Sequence, residues 1–157
     1  MLKTIPMLER FIGEDQPENK VWLGSQVVYL NEAQRAEYEL KVKDGKIYDA
    51  AGDLFDTSDA ESLHSDEYGF AIFVMDEAGR LFASQRHEQG RFHHSSLVAG
   101  APVAAAGEIM VKDGVLKKLT DRSGHYRPPN EFTDQIVSFL KRHEVDLPDD
   151  IVKLYAS

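Results

Sequence analysis

A chain of 157 residues, 42% hydrophobic and 29% charged, has the size of one globular domain and the composition of a folded protein. It has no cysteine, which excludes disulfides and thiolate metal sites. Its 27 acidic and 18 basic residues leave a net charge of −9, a field that repels nucleic acid over most of the surface and suits a basic partner.

Met1 to Pro6 carries one lysine and no apolar h-region, so no signal peptide is read, and a cytoplasmic protein, or one delivered by a specialised secretion system, is expected. Residues 1–25 form a weakly patterned lead-in, with an amphipathic stretch Ile5 to Ile12 and a polar break from Gly13 to Pro17. Residues 26–157 read as a single globular α+β domain. Val27 to Leu30 predicts a strand. Asn31 with Gln34 has capping-box character and predicts a short helix over Glu32 to Glu37. Tyr38 to Val42 alternates with period two and meets Lys46-Ile47-Tyr48 across Asp44-Gly45, the pair a type I′ hairpin turn wants.

Asp53 to Thr57 extends the pairing, and Thr57 to Ser62 is a polar loop. Tyr68 to Met75 contains the longest apolar run, far short of a membrane span of ~20 residues, and predicts a central strand returning through Asp76 to Gly79 into Arg80 to Ser84. A second hairpin, Gly107 to Val111 with Val115 to Leu119, turns on Asp113-Gly114. Asn130 caps a helix running to about His143, whose apolar Phe132, Ile136, Phe139 and Leu140 lie on one face. Ile151 to Tyr155 predicts a last turn.

Two polar islands carry the chemistry. The first is Phe92-His93-His94-Ser95-Ser96-Leu97-Val98-Ala99-Gly100, and the second is Ser123-Gly124-His125-Tyr126-Arg127-Pro128. Histidine titrates near neutrality and serves as acid or base; hydroxyls beside it donate, accept or attack; glycines let a ligand approach the backbone. Read as a strand, the first island points His94 inward and His93 outward. His64 and His87 read as surface residues, and His143 suits a helix C-terminus. His93, His94 and His125 lack the spacing of a metal set, so no metal is expected. Lys112, Lys117, Lys118, Arg122 and Arg127 form the one dense basic stretch.

These stretches resemble a known family. The two islands, with Tyr29-Leu30, Arg35 to Glu39, Asp44-Gly45-Lys46, Ala105-Ala106-Gly107, Asp113 to Leu116 and a tail from Phe139 to Leu147, are similar to the C-terminal region of plant IQ-motif calmodulin-binding proteins and to C-terminal domains of bacterial polymorphic toxins and effectors. The IQ motif itself, an Ile-Gln followed by spaced arginines, has no counterpart here, so calmodulin is not expected as a partner. The plant version tends to carry Arg at the place of Glu108, which argues against Glu108 as an obligatory acid. The islands also resemble the His-Tyr-acid ADP-ribosyltransferases. That likeness implies that His94, Ser95 and Ser96 hold NAD, that Tyr126 stacks on nicotinamide, and that Glu131, Asp146 or Glu37 supplies the carboxylate.

The fold expected is α+β, a bent antiparallel sheet with a C-terminal helix packed on it and an ADP-ribosyltransferase-like likeness. The leading function expected is a bacterial toxin- or effector-type enzyme, an NAD-dependent ADP-ribosyltransferase with an immunity protein or protein target as partner. His94, His125 and Tyr126 would be its catalytic residues, and Ser95, Ser96, Gly100, Ser123, Gly124 and Arg127 its NAD-binding ones. Two alternatives stand beside it. One is a non-catalytic interaction module in which the islands are a structural latch and His125-Tyr126 a buried hydrogen-bonded pair. The other is a two-histidine phosphodiesterase or ribonuclease using His94 and His125, with Arg127 or Lys118 holding phosphate.

Overall fold

The computed structural model describes residues 2–60, 69–148 and 150–154. Part of the expected polar loop and Tyr68 lie outside these residues. The two Asp-Gly pairs build the hairpins foreseen for them. Asp44 and Gly45 have φ of +52° and +81°, and Asp113 and Gly114 have +49° and +79°, the double left-handed turn whose twist matches a strand pair. They join β1 (Glu39–Lys43) to β2 (Lys46–Tyr48) and β5 (Ala105–Lys112) to β6 (Val115–Thr120). Between them lie β3 (Ala71–Met75) and β4 (Leu81–Ser84), joined by a turn in which Asp76 accepts from the backbone of Ala78 and Arg80.

The seven strands run in the order β2-β1-β4-β3-β5-β6-β7, antiparallel except at the end, where β7 (Val152–Lys153) joins β6 in parallel. Val152 and Lys153, within the stretch Ile151 to Tyr155 expected as a turn, thus form an edge strand, and Tyr155 lies outside the described residues. The sheet curls. Edge residue Ile47 donates its amide to Gly114 of the opposite hairpin at 2.8 Å. Gly114 also carries Leu54 so close that a Cβ there would meet it at 2.5 Å.

Strand β3 occupies the middle, and every residue of it is buried, which is why its sequence is a continuous apolar run rather than an alternating one. Its odd-numbered residues Ala71, Phe73 and Met75 belong to one core, with Ile109, Leu119, Ile136 and Leu140. That core is closed by α3 (Asn130–Arg142), where, of the predicted stripe, Phe132, Ile136 and Leu140 are buried and Phe139 is half-buried against the core. Pro129, not Asn130, occupies the N-cap, and Asn130 is the first helical residue. Ile72 and Val74 belong to a second core on the other face, with Phe82, Phe92, Leu97, Val103 and Tyr126. Both islands lie on this second face.

A short helix α1 (Glu32–Ala36) carries the predicted capping box, Asn31 and Gln34 each bonding the other's backbone amide at 2.8 and 2.9 Å. The first island departs from its reading: His94–Val98 is a helix, α2, with all five residues buried. His93 precedes it in extended conformation and donates its amide to Ser96 Oγ at 3.0 Å, while Ala99 closes it at φ +51°. His93 ends the extended approach and His94 begins the helix, so the strand alternation that would send them to opposite faces does not apply, and both are buried. The predicted Val27–Leu30 strand is not in the sheet either. Val27, Val28 and Leu30 donate their amides to Glu14, Arg91 and Ser96, which hold the segment against the first island.

Candidate functional site

The site is organised by a residue of the lead-in. Ile5 exchanges both backbone hydrogen bonds with Val103, and Leu8 donates to the carbonyl of His125, so the segment runs across the second face as a strap. A 3-10 turn over Glu9–Phe11 and a bend at Gly13 (φ +89°) then drive Glu14 inward. Its side chain is fully buried.

A buried carboxylate must be matched by donors, because leaving its oxygens unpaired costs several kcal/mol. Four side chains meet that need. His125 Nε2 and Trp22 Nε1 lie 2.6 and 3.3 Å from Oε1; the Tyr29 and Ser95 hydroxyls donate to Oε2 at 2.7 and 2.8 Å. The donors come from the strap, the first island and the second island, so one anion ties together three stretches far apart in sequence. Burial alone would raise the Glu14 carboxyl, but the hydrogen bonds from His125, Tyr29 and Ser95 and the charge of His125 outweigh it and hold it below the usual carboxylate range. Burial first, then the nearby carboxylate, pushes the Tyr29 phenol up.

Asn19 places Trp22. Its Oδ1 accepts from the amides of Val21 and Trp22 at 3.0 and 2.7 Å, and its Nδ2 donates to the carbonyls of Glu14, Gln16 and Ser25. Gly90, at φ +74°, leaves room for Trp22 and Ser25: a Cβ there would lie 2.7 Å from Ser25 Oγ. Trp22 then stacks near-parallel to His93 at 5.2 Å between ring centres, and Phe11 lies against His125 at 3.9 Å. These four rings, with His87, Gln89 and Gly124, line a cavity of about 240 Å³.

The other predicted residues separate around this centre. His93 and His87, expected at the surface, are buried, and their rings meet with His93 Nδ1 3.3 Å from His87 Nε2. Gly90 N–H donates to His93 Nε2 at 2.9 Å, which assigns the His93 proton to Nδ1. His94 Nε2 donates to the Gly107 carbonyl at 2.7 Å, fastening α2 to β5. Tyr126 is wholly buried, with its hydroxyl donating to Ala101 at 2.7 Å, so it has no open ring face on which a nicotinamide could stack. Burial, then the charge of Glu14, raises its phenol.

Ser96 serves as partner of the His93 amide, and Gly100 makes room for Tyr29, whose hydroxyl a Cβ would approach to 2.9 Å. The Ser123 hydroxyl is buried without a hydrogen-bond partner among the described residues, and Arg127 is exposed at φ +44°. Of the candidate acids, Glu37, Glu131 and Asp146 are all exposed. Glu14 was missed. It lies 81 positions from Ser95 and 111 from His125, and its sequence signal amounts to one acid in a polar break. Among the described residues no cluster of three or more His, Asp or Glu has a metal-holding arrangement, and no helix is long and apolar enough to cross a membrane.

Comparison with known proteins gives one consistent family. Residues 34–133 match the model of the IQ motif-containing protein middle domain. The chain is 38% identical over 124 residues to the IQ domain-containing protein IQM2 of Arabidopsis thaliana, covering 78% of this chain and 20% of that protein. It is 39% identical over 119 residues to IQM3 of the same plant, covering 76% and 25%. The chain therefore spans about a fifth to a quarter of the length of these relatives. No solved structure matches it, and the ADP-ribosyltransferase-like likeness has no counterpart. These matches are to plant IQ domain-containing proteins, and they overturn the expectation of a bacterial toxin or effector and of an ADP-ribosyltransferase enzyme.

Proposed function

The chain belongs to the family of the IQ motif-containing protein middle domain, and on that premise we propose that it is a non-catalytic protein-interaction module in which the two islands are a structural latch. The observation that carries this reading is the commitment of the islands' polar groups to the fold. Ser95 and His125 are spent on Glu14, His94 on Gly107, Ser96 on the His93 amide and Tyr126 on Ala101. A hydroxyl held by a buried carboxylate and imidazoles held by backbone are arranged to fix geometry. Ile12 and Leu23, next in sequence to the cavity residues Phe11 and Trp22, stand in solvent, 67% and 88% exposed. Exposed large apolar side chains of this kind suit a partner, and the net charge of −9 suits one with basic character. The sequence holds no Ile-Gln pair, so the calmodulin expectation attached to the IQ motif is not extended to this chain.

A partner recovered on the immobilised chain, purified and titrated back is expected to bind reversibly. Ile12→Ser/Leu23→Ser should weaken that binding tenfold or more, about 1.4 kcal/mol, with an unchanged thermal midpoint. Turnover of a small molecule by the wild type that a stably folded His125→Ala variant loses would contradict the reading.

A further inference from the structure

We propose that the groove filled by residues 5–14 on the second face is a recognition site for an extended protein segment with an aromatic residue three positions before an acid. The chain's own segment is its occupant in cis. The proposal rests on the interaction-module reading and gives that module a concealed contact. The segment is held as a bound peptide is held. Its regular structure is one 3-10 turn, Glu9–Phe11, and one bridge from Ile5 to Val103. Of its residues only Glu14 is buried, while Ile5, Met7, Leu8 and Phe11 are half-buried. Main-chain hydrogen bonds fix its course, Ile5 with Val103 in both directions and Leu8 to the His125 carbonyl. Two side chains, Phe11 and Glu14, then take seats in the groove. Grooves that read extended peptides divide the work in this way, with backbone pairing for affinity and side-chain seats for specificity.

One imidazole sets the motif. The face of His125 takes the Phe11 ring, 3.9 Å between centres and within 16° of parallel, and its Nε2 meets the Glu14 carboxylate at 2.6 Å. A ligand must therefore present a ring and a carboxylate at the spacing of Phe11 and Glu14. Gly13, at φ +89°, makes the bend between them, so the favoured sequence is aromatic-x-Gly-acid. Ser95, Tyr29 and Trp22, all outside the segment, bring further donors to the same carboxylate. Four donors around two oxygens select an acid over an amide, which would turn its own N–H₂ toward some of them. Val103, Ser95 and His125 lie within residues 34–133 matched by the family model, whereas the segment precedes them. A tethered occupant competes at a local concentration on the order of millimolar, so a partner segment enters when the chain's own lifts off.

The test uses the full chain, with Phe11→Ala/Glu14→Ala to empty the seat. It is titrated at pH 7, by fluorescence anisotropy, with a dye-labelled peptide of residues 3–16 and with the same peptide carrying Glu14→Gln or Phe11→Ala. The emptied chain is expected to bind the unaltered peptide saturably, about tenfold or more tighter than it binds either altered peptide. The wild-type chain, its seat filled, should bind that peptide about tenfold or more weakly than the emptied one. Equal binding of the three peptides, or no binding by a folded emptied chain, overturns the proposal. Hydrogen exchange of the wild type decides the case if the emptied chain does not fold. Release of the segment predicts that the Ile5 and Leu8 amides exchange about a hundredfold or more faster than those of β3. Exchange of both sets together would make the segment part of the core and overturn the proposal. The interaction-module reading is decided separately by the Ile12→Ser/Leu23→Ser titration, so a chain that binds its partner through those residues yet never takes the peptide loses only the groove.

Discussion

Glu14 shows how much one buried charge can organise. Each hydrogen bond to a charged group contributes about 1.5–3 kcal/mol, and losing the charge leaves four donors facing a poorer acceptor. Glu14→Gln keeps the shape, yet turns an amide N–H₂ toward groups that are themselves donors. It is expected to cost about 1–3 kcal/mol in urea unfolding at neutral pH. The sign with pH follows from the lowered carboxyl. A carboxyl whose folded pKa lies below its ordinary 4.5 stabilises fully above that value and loses its contribution as pH falls through the folded one. Wild-type stability should therefore drop on acidification below about pH 4.5, and Glu14→Gln should drop less steeply there. Parallel curves would remove Glu14 from the account. The histidines and hydroxyls of the islands were legible as polar groups out of place in an apolar context; the acid they serve was not. Its partners are distant in sequence and only tertiary packing brings them to it.

Elements were legible where local chemistry decides them. Both Asp-Gly hairpins, the Asn31 to Gln34 capping box and the helical stripe of α3 are written in short-range signals, and each forms. Helix α2 carries none. It is too short to show a period, contains two serines that favour caps over helix interiors, and is buried on all sides, so no apolar and polar faces alternate. Its conformation is imposed by fastening: His94 to Gly107, Ser96 to the His93 amide, and the Leu30 amide to the Ser96 carbonyl. Val27 to Leu30 misleads in the opposite way, having strand composition but a role as backing to that helix. The helix ends on Ala99 in the left-handed region, exposed and at φ +51°, where an L side chain is disfavoured. Ala99→Gly should stabilise the chain by about 0.5–1 kcal/mol, the relief of that strain less the added freedom of the unfolded chain. A lowered thermal midpoint would show that Ala99 packs in a way its exposure does not reveal.

At the scale of the whole molecule, a curled sheet carries two cores, and they do different work. The core under α3 is closed by a helix whose stripe the sequence displays. The other is roofed by α2 and the strap, which have little regular structure and are joined through Glu14. The α+β class and the antiparallel hairpins could be read in advance. The parallel edge strand β7 and the structural role of residues 2–30 could not, since both depend on contacts made only after the sheet forms. The family match begins at residue 34, so the strap with Phe11, Glu14, Trp22 and Tyr29 precedes it, while both islands lie inside it. The direct test of the latch is a double-mutant cycle between strap and second island, using Glu14→Gln and His125→Gln, read by urea unfolding at pH 7. A latch predicts that the two changes are strongly non-additive, with a coupling of about 1–3 kcal/mol. Additivity within about 0.5 kcal/mol would contradict it.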